Sequence, residues 1–140
     1  MAVHVLTVLA YKQGDCVTSS FLAASVNTNP VVVRRLLLTL QSAKLVVTRK
    51  GAGFGSRLSR TPAHISLADV YRAVEDDEPF CLPPGKPNEE CPVGQCIQKA
   101  LGNVFASVQT ALERELEATT LADILEIVQK SCGRARRERT

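Results

Sequence analysis

The sequence predicts a mainly α-helical protein with one small β-hairpin and a long helix near the C-terminus. Three observations predict this class. Apolar residues recur at helical spacing through most of the chain; one stretch, residues 43–62, alternates and turns through glycines; and a near-continuous apolar seam runs from about Val93 to Glu117. With 140 residues the chain fits one domain, or one domain plus an appendage, and buries a core without disulfide staples.

Residues 1–12 are apolar up to the turn signal QGD and predict a first helix. In TSSFLAAS, Thr18 or Ser19 caps a short second helix carrying Phe21, Leu22 and Ala24. VNT then makes a tight connection into NTNPVVVRRLLL, residues 27–38. Three valines in a row suit a strand, but Thr28 as N-cap and Pro30 in the first turn, where a missing N–H costs nothing, suit a helix start. At 100° per residue Val33, Leu36, Leu37 and Leu40 share one face, a stripe that no strand reproduces. The opposite side carries Val31 and Arg35, flanked by Val32 and Arg34. Methyl groups and guanidinium groups exposed together at the start of a helix have a use: the major groove of B-DNA admits an α-helix, exposed methyls meet thymine methyls there, and Arg reaches guanine edges or phosphates.

AKLVVTRKGAGFGSRLSRTP follows, a basic β-hairpin lined by Lys44, Arg49, Lys50, Arg57 and Arg60 and turning through Gly51, Gly53 and Gly55. No Lys-Ser/Thr follows the glycines and no helix opens after them, so they read as a hairpin tip rather than a phosphate cradle. Ser66 and Asp69 form a capping-box start for a helix with Leu67, Val70, Tyr71 and Val74. EDDEPFCLPPGKPNEECP then breaks all periodicity with its prolines and reads as a loop.

The long helix carries Ile97, Leu101, Val104, Val108, Leu112 and Leu116 along its seam. It spans about 37 Å at 1.5 Å per residue, against a radius of gyration of about 14 Å for a compact chain of this size. Such a helix projects beyond its own core and calls for a partner, most simply its copy in a second chain. A last helix, capped by Thr120 and Asp123, presents Leu121, Ile124, Leu125 and Val128, and CGRARRERT reads as a basic, structureless tail. Two helices, a turn, an outward-facing helix, a basic hairpin wing and a long helix make a winged helix-turn-helix plus a long C-terminal dimerisation helix. The expected divisions are 1–75 for the DNA-binding domain, 76–92 for a cysteine-containing loop, 93–130 for the helical dimerisation region and 131–140 for the tail.

Charge divides along the same lines. Residues 1–60 hold eight Lys and Arg against Asp15 alone, a net +7; residues 61–130 hold five basic and twelve acidic side chains, a net −7; the tail adds +3. A cationic module on an acidic body points to a polyanion as partner for the N-terminal part. The five cysteines, Cys16, Cys81, Cys91, Cys96 and Cys132, are odd in number and follow no secretory signal, which points to a reducing cytoplasm. No segment is long and apolar enough for a membrane. A thiol enzyme needs a base, and only His4 and His64 are available, neither with an acidic partner; His4 on an apolar helix reads as a packed core residue and His64 as part of a turn. The reading is therefore not an enzyme. Zinc is not expected either, since four ligands at the usual spacing are missing.

SVNTNPVVVRRLLLTLQSAKLVVTRKGAGFGSRLSRTPAHISLADVYRAVE resembles the winged-helix bacterial regulators that include IscR, NsrR and CymR, the Rrf-two family. NTNPVVVRR and CPVG look most like its YwnA-like branch. The resemblance runs over nearly the whole chain, with GSRLSRTPAHISLADVYRAVE its most specific part. It implies a homodimeric transcription factor that binds double-stranded DNA at a palindromic operator, with the long helix at the dimer interface. It also implies that Thr28, Asn29, Val31, Val32, Arg34 and Arg35 belong to the recognition helix, and Lys50 to Arg57 to the wing, with Arg49, Lys50 and Arg57 gripping phosphate. Relative to such regulators the chain starts within the first helix, so some backbone contacts made from that end are not expected here. Cluster-binding members place three cysteines before the long helix, each pair separated by about five residues; here Cys81, Cys91 and Cys96 have nine and then four residues between them.

Three readings of these cysteines stay open: no sensing role, a thiol switch centred on Cys91 with Cys96 or Cys16 as resolving partner, or an iron–sulfur cluster such as [2Fe-2S]. Cys96 is expected in the first turn of the long helix. No other cofactor is called for. The expected function is a sequence-specific DNA-binding regulator, in the first instance a repressor; the alternative is an interaction adaptor that keeps the fold without binding DNA.

Overall fold

A computed structural model describes residues 1–76, 81–82 and 84–138, the last five by backbone alone. Of the loop expected at 76–92, residues 77–80 and 83 lie outside the described residues, as do 139 and 140.

The first helix, α1 (Ala2–Tyr11), buries Ala2, Val5, Leu6, Leu9 and Ala10, the i, i+3, i+4, i+7, i+8 stripe of a helix that faces a core on one side. Its valines are poor helix formers, and packing overrides that preference. The Thr7 hydroxyl bonds back to the Val3 carbonyl at 2.7 Å and so enters the interior with its donor satisfied. His4 is not the packed core residue the apolar context suggested: it is exposed, with Nε2 3.1 Å from the Ser25 hydroxyl. The helical stripe turns position 4 away from the core.

Helix α2 (Ser19–Val26) starts at Thr18, whose side chain accepts from the Phe21 amide, and ends at Asn27 in a left-handed conformation. Helix α3 (Pro30–Ser42) has Asn29 as its N-cap, one residue later than expected; the Asn29 oxygen accepts from the Val31 amide at 2.8 Å. The Thr28 amide is used instead in a bond to the Ala23 carbonyl that closes the turn. Val33, Leu37 and Leu40 are buried and Leu36 packs against them, so the helical stripe read from the sequence is the core face.

Strands β1 (Val46–Arg49) and β2 (Gly55–Leu58) pair antiparallel, with Val46 opposite Leu58 and Arg49 opposite Gly55. Val17, between α1 and α2, forms an isolated bridge to Ser56, with amide–carbonyl bonds of 2.9 and 2.8 Å. Gly55 makes this approach possible: its φ is +139°, and a Cβ there would lie 2.8 Å from the Val17 carbonyl oxygen. A short 3-10 turn (Pro62–His64) leads into α4 (Leu67–Val74), which opens with the Ser66–Asp69 capping box. His64 decorates that turn, with Nδ1 2.6 Å from the Thr61 hydroxyl.

Helix α5 (Pro92–Ala118) has Pro92 as its first residue and buries no side chain. Helix α6 (Leu121–Glu138) begins at a Thr120–Asp123 cap, and backbone hydrogen bonds from Leu67 to Thr119 and from Leu121 to Ile65 stitch this junction to the start of α4. The Asp123 carboxyl is held below the usual carboxylate range by the amide and then the hydroxyl of Thr120. Leu121 is wholly buried in the same cluster as α1, α2 and α3. The helix continues to Glu138, so the basic segment there is not the structureless tail expected. Apart from Gly133 that segment is made of residues compatible with a helix, Ala and Arg among them, and no proline stops it.

Candidate nucleic-acid interface

With Val33, Leu37 and Leu40 turned inward, helical geometry turns Val31, Arg35 and Leu38 outward at i, i+4 and i+7. Their exposure bears this out: Val31 is 55%, Val32 42% and Leu38 65% exposed. Apolar side chains this open on a helix otherwise packed into a core are a surface with something left to contact. Arg34 and Arg35 are both exposed beside them. Arg34 leans toward α2, its Nε donating to the Ser19 hydroxyl at 3.2 Å.

The wing stands alongside. Its alternation and register put Val47, Arg49 and Arg57 on one face of the hairpin, while Val46 and Ser56 are buried on the other. Lys50 follows at the turn. Between α3 and the wing lies a cleft of about 470 Å³ lined by Arg34, Arg49, Lys50, Gln41, Leu38 and Phe54, among others. Among the described residues, Arg60 alone of the eight Lys and Arg in residues 1–60 has a carboxylate within ion-pair distance, Asp69 at 3.8 Å. The positive charge of this face is thus not neutralised internally, and its field is available to an external polyanion.

The structure brings Val31, Val32, Arg34 and Arg35 together with Arg49, Lys50 and Arg57 on neighbouring elements. Thr28 and Asn29 stand at the helix start, the Asn29 oxygen engaged in its cap. Sequence reasoning passed over Ser19, Gln41, Thr48, Leu38 and Phe54. The one signal available in advance was the aromatic of Phe54 placed between Gly53 and Gly55, where a hairpin tip has no core to fill.

The loop cysteines are divided between the start and the middle of α5. Cys91 is the N-cap of α5, and its thiol is held below the ordinary thiol range by the amides of Gly94 and then Val93. A thiolate is the form these two donors favour. Cys96 falls in the second turn of α5 rather than the first. Cys81 instead lines a cavity of about 450 Å³ with Gly102, Phe105 and Gln109. Gly102 is about 16 Å along the helix from Cys91. Among the described residues no group of three or more Cys, His, Asp or Glu is gathered to hold a metal.

The C-terminal half of α5 is tied to the head through Arg72 on α4, which bonds Glu117 at 2.5 Å and Glu113 at 3.5 Å. The Glu113 carboxyl lies below its usual range, chiefly through a hydrogen bond from Gln109 and also through Arg72.

The family model for Rrf2, described as "Iron-dependent Transcriptional regulator", matches residues 1–127. The chain is 42% identical over 125 residues to the HTH-type regulator YwnA of Bacillus subtilis (strain 168), covering 89% of this chain and 92% of that protein. A crystal structure described as that of a DNA-binding protein superposes with a TM-score of 0.69 at 42% identity, over 89% of this chain and 95% of its own. IscR of T. potens superposes with a TM-score of 0.68 at 24% identity, over 93% and 84% of the two chains, a likeness of fold. Among the described residues the iron in the family description finds no fit, because Cys81 lies against the middle of α5 while Cys91 and Cys96 stand at its start, and no three such ligands are gathered.

Proposed function

The chain belongs to the Rrf2 family of transcriptional regulators, and from that premise we propose that it is a homodimeric, sequence-specific DNA-binding repressor tuned by its loop cysteines. The observation that carries the DNA reading is the open face of α3: Val31, Val32, Arg34 and Arg35 project beside a wing whose Arg49, Lys50 and Arg57 have no counterion among the described residues. In the proposed complex the start of α3 enters the major groove, with Thr28 and Asn29 offering polar contacts, Val31 and Val32 meeting thymine methyls, and the wing cations on phosphate. Two copies set their reading helices about 34 Å apart, one helical turn of DNA, which selects a palindromic operator. A dimer lying across a promoter excludes polymerase without needing a further surface, hence repression.

The dimer reading is supported by α5, whose residues Val93, Val104 and Val108 are exposed and which has no fully buried side chain. A copy of α5 supplies the missing apolar face. On the same reading the chain divides into a DNA-binding part at 1–75, a loop at 76–92 and a dimerising part from 93 to 130.

The thiol reading is centred on Cys91, with Cys96 or Cys16 as the second thiol. The Cys91 thiolate attacks a hydroperoxide, the O–O bond breaks, and the product is a sulfenic acid plus water or an alcohol. A second thiolate then attacks that sulfur, the S–O bond breaks and the hydroxide leaves as water with a proton from solvent, giving a disulfide that shifts the start of α5 relative to the head.

In vitro selection of bound DNA with reduced and with oxidised protein tests all three parts. The expected outcome is a palindromic consensus with half-sites centred one helical turn apart, enriched with the reduced form and weakened by peroxide. Selection of no consensus, with the protein folded, refutes sequence-specific recognition; a consensus indifferent to peroxide refutes the thiol switch alone.

A further inference from the structure

Arg34 and Arg35 are adjacent in sequence, yet the fold gives them different surroundings. Arg35 stands one turn beyond Val31 on the outward face of α3. Arg34 is rotated to the flank that faces the wing, and Ser19 on α2 holds its Nε at 3.2 Å. This bond occupies the inner donor of the guanidinium fork, and the two terminal amino groups remain for a ligand. The cleft they share with the wing is chemically two-sided. Arg34, Arg49 and Lys50 supply cations, whereas Leu38 and Phe54, 65% and 62% exposed, supply apolar surface with no core function. A free inorganic anion makes use of the first set only. A deoxyribose phosphodiester has an anionic oxygen pair on an apolar C–H ring and matches both.

We propose that the cleft between α3 and the wing seats one sugar–phosphate unit of the DNA backbone in each half-site. Arg34, Arg49 and Lys50 surround the phosphate, Leu38 and Phe54 lie against the sugar, and Ser19 is the residue that orients Arg34. Arg34 then fixes register and adds affinity without reading sequence, and Arg35 is the arginine that reads bases. This inference rests on the DNA-binding reading above, and it divides labour between two residues that the sequence presents as equivalent.

The test uses the reduced full-length chain, the selected operator and a scrambled duplex of equal length, with binding followed by fluorescence anisotropy over a range of salt. Arg34→Ala is expected to weaken both duplexes by the same factor and to reduce the slope of log affinity against log salt by about 0.9 per seat. Arg35→Ala is expected to lower the operator-to-scrambled ratio by about tenfold, the scale of one lost bidentate base contact. Ser19→Ala is expected to move both duplexes in the direction of Arg34→Ala by a smaller factor; Ser19→Thr, which keeps the hydroxyl, is expected to restore binding. In an Arg34→Lys background, which keeps the charge but has no Nε for the bond, Ser19→Ala is expected to do nothing further.

Operators carrying one methylphosphonate at a time locate the seat. At one position per half-site, neutralising the phosphate is expected to weaken the wild type and leave Arg34→Ala unaffected. A penalty that persists in Arg34→Ala at every position overturns the seat. So does an Arg34→Ala variant that loses operator discrimination and keeps its salt slope; in both cases DNA binding itself stands. A wild-type chain that binds neither duplex at low salt overturns the DNA reading and the seat together.

Discussion

The winged-helix head and the long helix α5 meet the same requirement, burial of apolar side chains, in opposite ways. In the head, four helices, α1 to α4, the start of β1 and the returning Leu121 close over Val5, Leu6, Leu9, Leu22, Val33 and Leu40, all essentially inaccessible to water. In α5, a helix of 27 residues, no side chain reaches that state, and Val104 on its seam is 55% exposed. The head is a finished core; the helix is an unfinished one. The difference teaches where this chain is self-sufficient and where it leaves apolar surface open, which is what the proposed dimer would cover. It also assigns the charge, since the finished part carries the unneutralised cations and the unfinished part belongs to the acidic stretch.

The comparison is open to attack, first at the head. Leu40→Ala removes a wholly buried side chain from a core with no solvent path, and the expected loss is about 2–5 kcal/mol in urea denaturation. A loss under about 1 kcal/mol would mean that the site collapses freely and the core is not close-packed. The matching attack on α5 is Leu112→Asp, which places a charge on the seam. Sedimentation equilibrium should show the dimer weakened by about 100-fold, roughly 3 kcal/mol for an unpaired charge in an apolar interface, with the helical circular-dichroism signal of the head retained. A variant that unfolds outright would show that α5 is part of the core after all.

A smaller effect sharpens the boundary between core and interface. Gly55→Ala puts a methyl 2.8 Å from the Val17 carbonyl oxygen at a φ of +139°, a strain of about 1–3 kcal/mol. The wing should shift away from α2, lowering the melting temperature and weakening operator and random DNA alike. Unchanged DNA binding would show that the Val17–Ser56 bridge does not set the wing's position.

The smallest effect on stability concerns Cys91, which is exposed at the start of α5. Because the Gly94 and Val93 amides lower its folded pKa, its thiolate fraction at neutral pH exceeds that of the unfolded chain. The associated stabilisation is present above the unfolded thiol's pKa and disappears as pH falls through the lowered folded value. The pH profile of iodoacetamide alkylation should therefore show a fast phase whose midpoint lies below that of the same cysteine in urea, and Cys91→Ser should remove that phase. Coincident midpoints in native and unfolded protein would end the case for a poised thiol.

Much of this was legible from residues alone, and the reason is range. The α3 stripe, the Ser66–Asp69 and Thr120–Asp123 caps and the hairpin with its glycines all depend on partners within a few positions, where periodicity and propensity speak directly. The cap of α3 moved by one residue, from Thr28 to Asn29, because both residue types cap well and the choice lies in how the preceding turn closes on Ala23. His4 was misread because hydrophobic neighbours at adjacent positions say little about a face that only the helix's packing direction selects.

By itself, then, the chain's order of residues determined the winged-helix class, the placement of positive charge in its first sixty positions, and the face of α3 left for a ligand. These follow from helical and strand periods, which every local segment carries with it. Tertiary structure alone decided that Leu121 returns to the head's core, that Arg34 turns to Ser19 while Arg35 faces outward, that Val17 braces the wing, and that Cys81 lies against the middle of α5 while Cys91 caps its start. Each of these joins residues distant in the chain, and such pairings arise from packing the whole molecule, a sum that no short stretch contains.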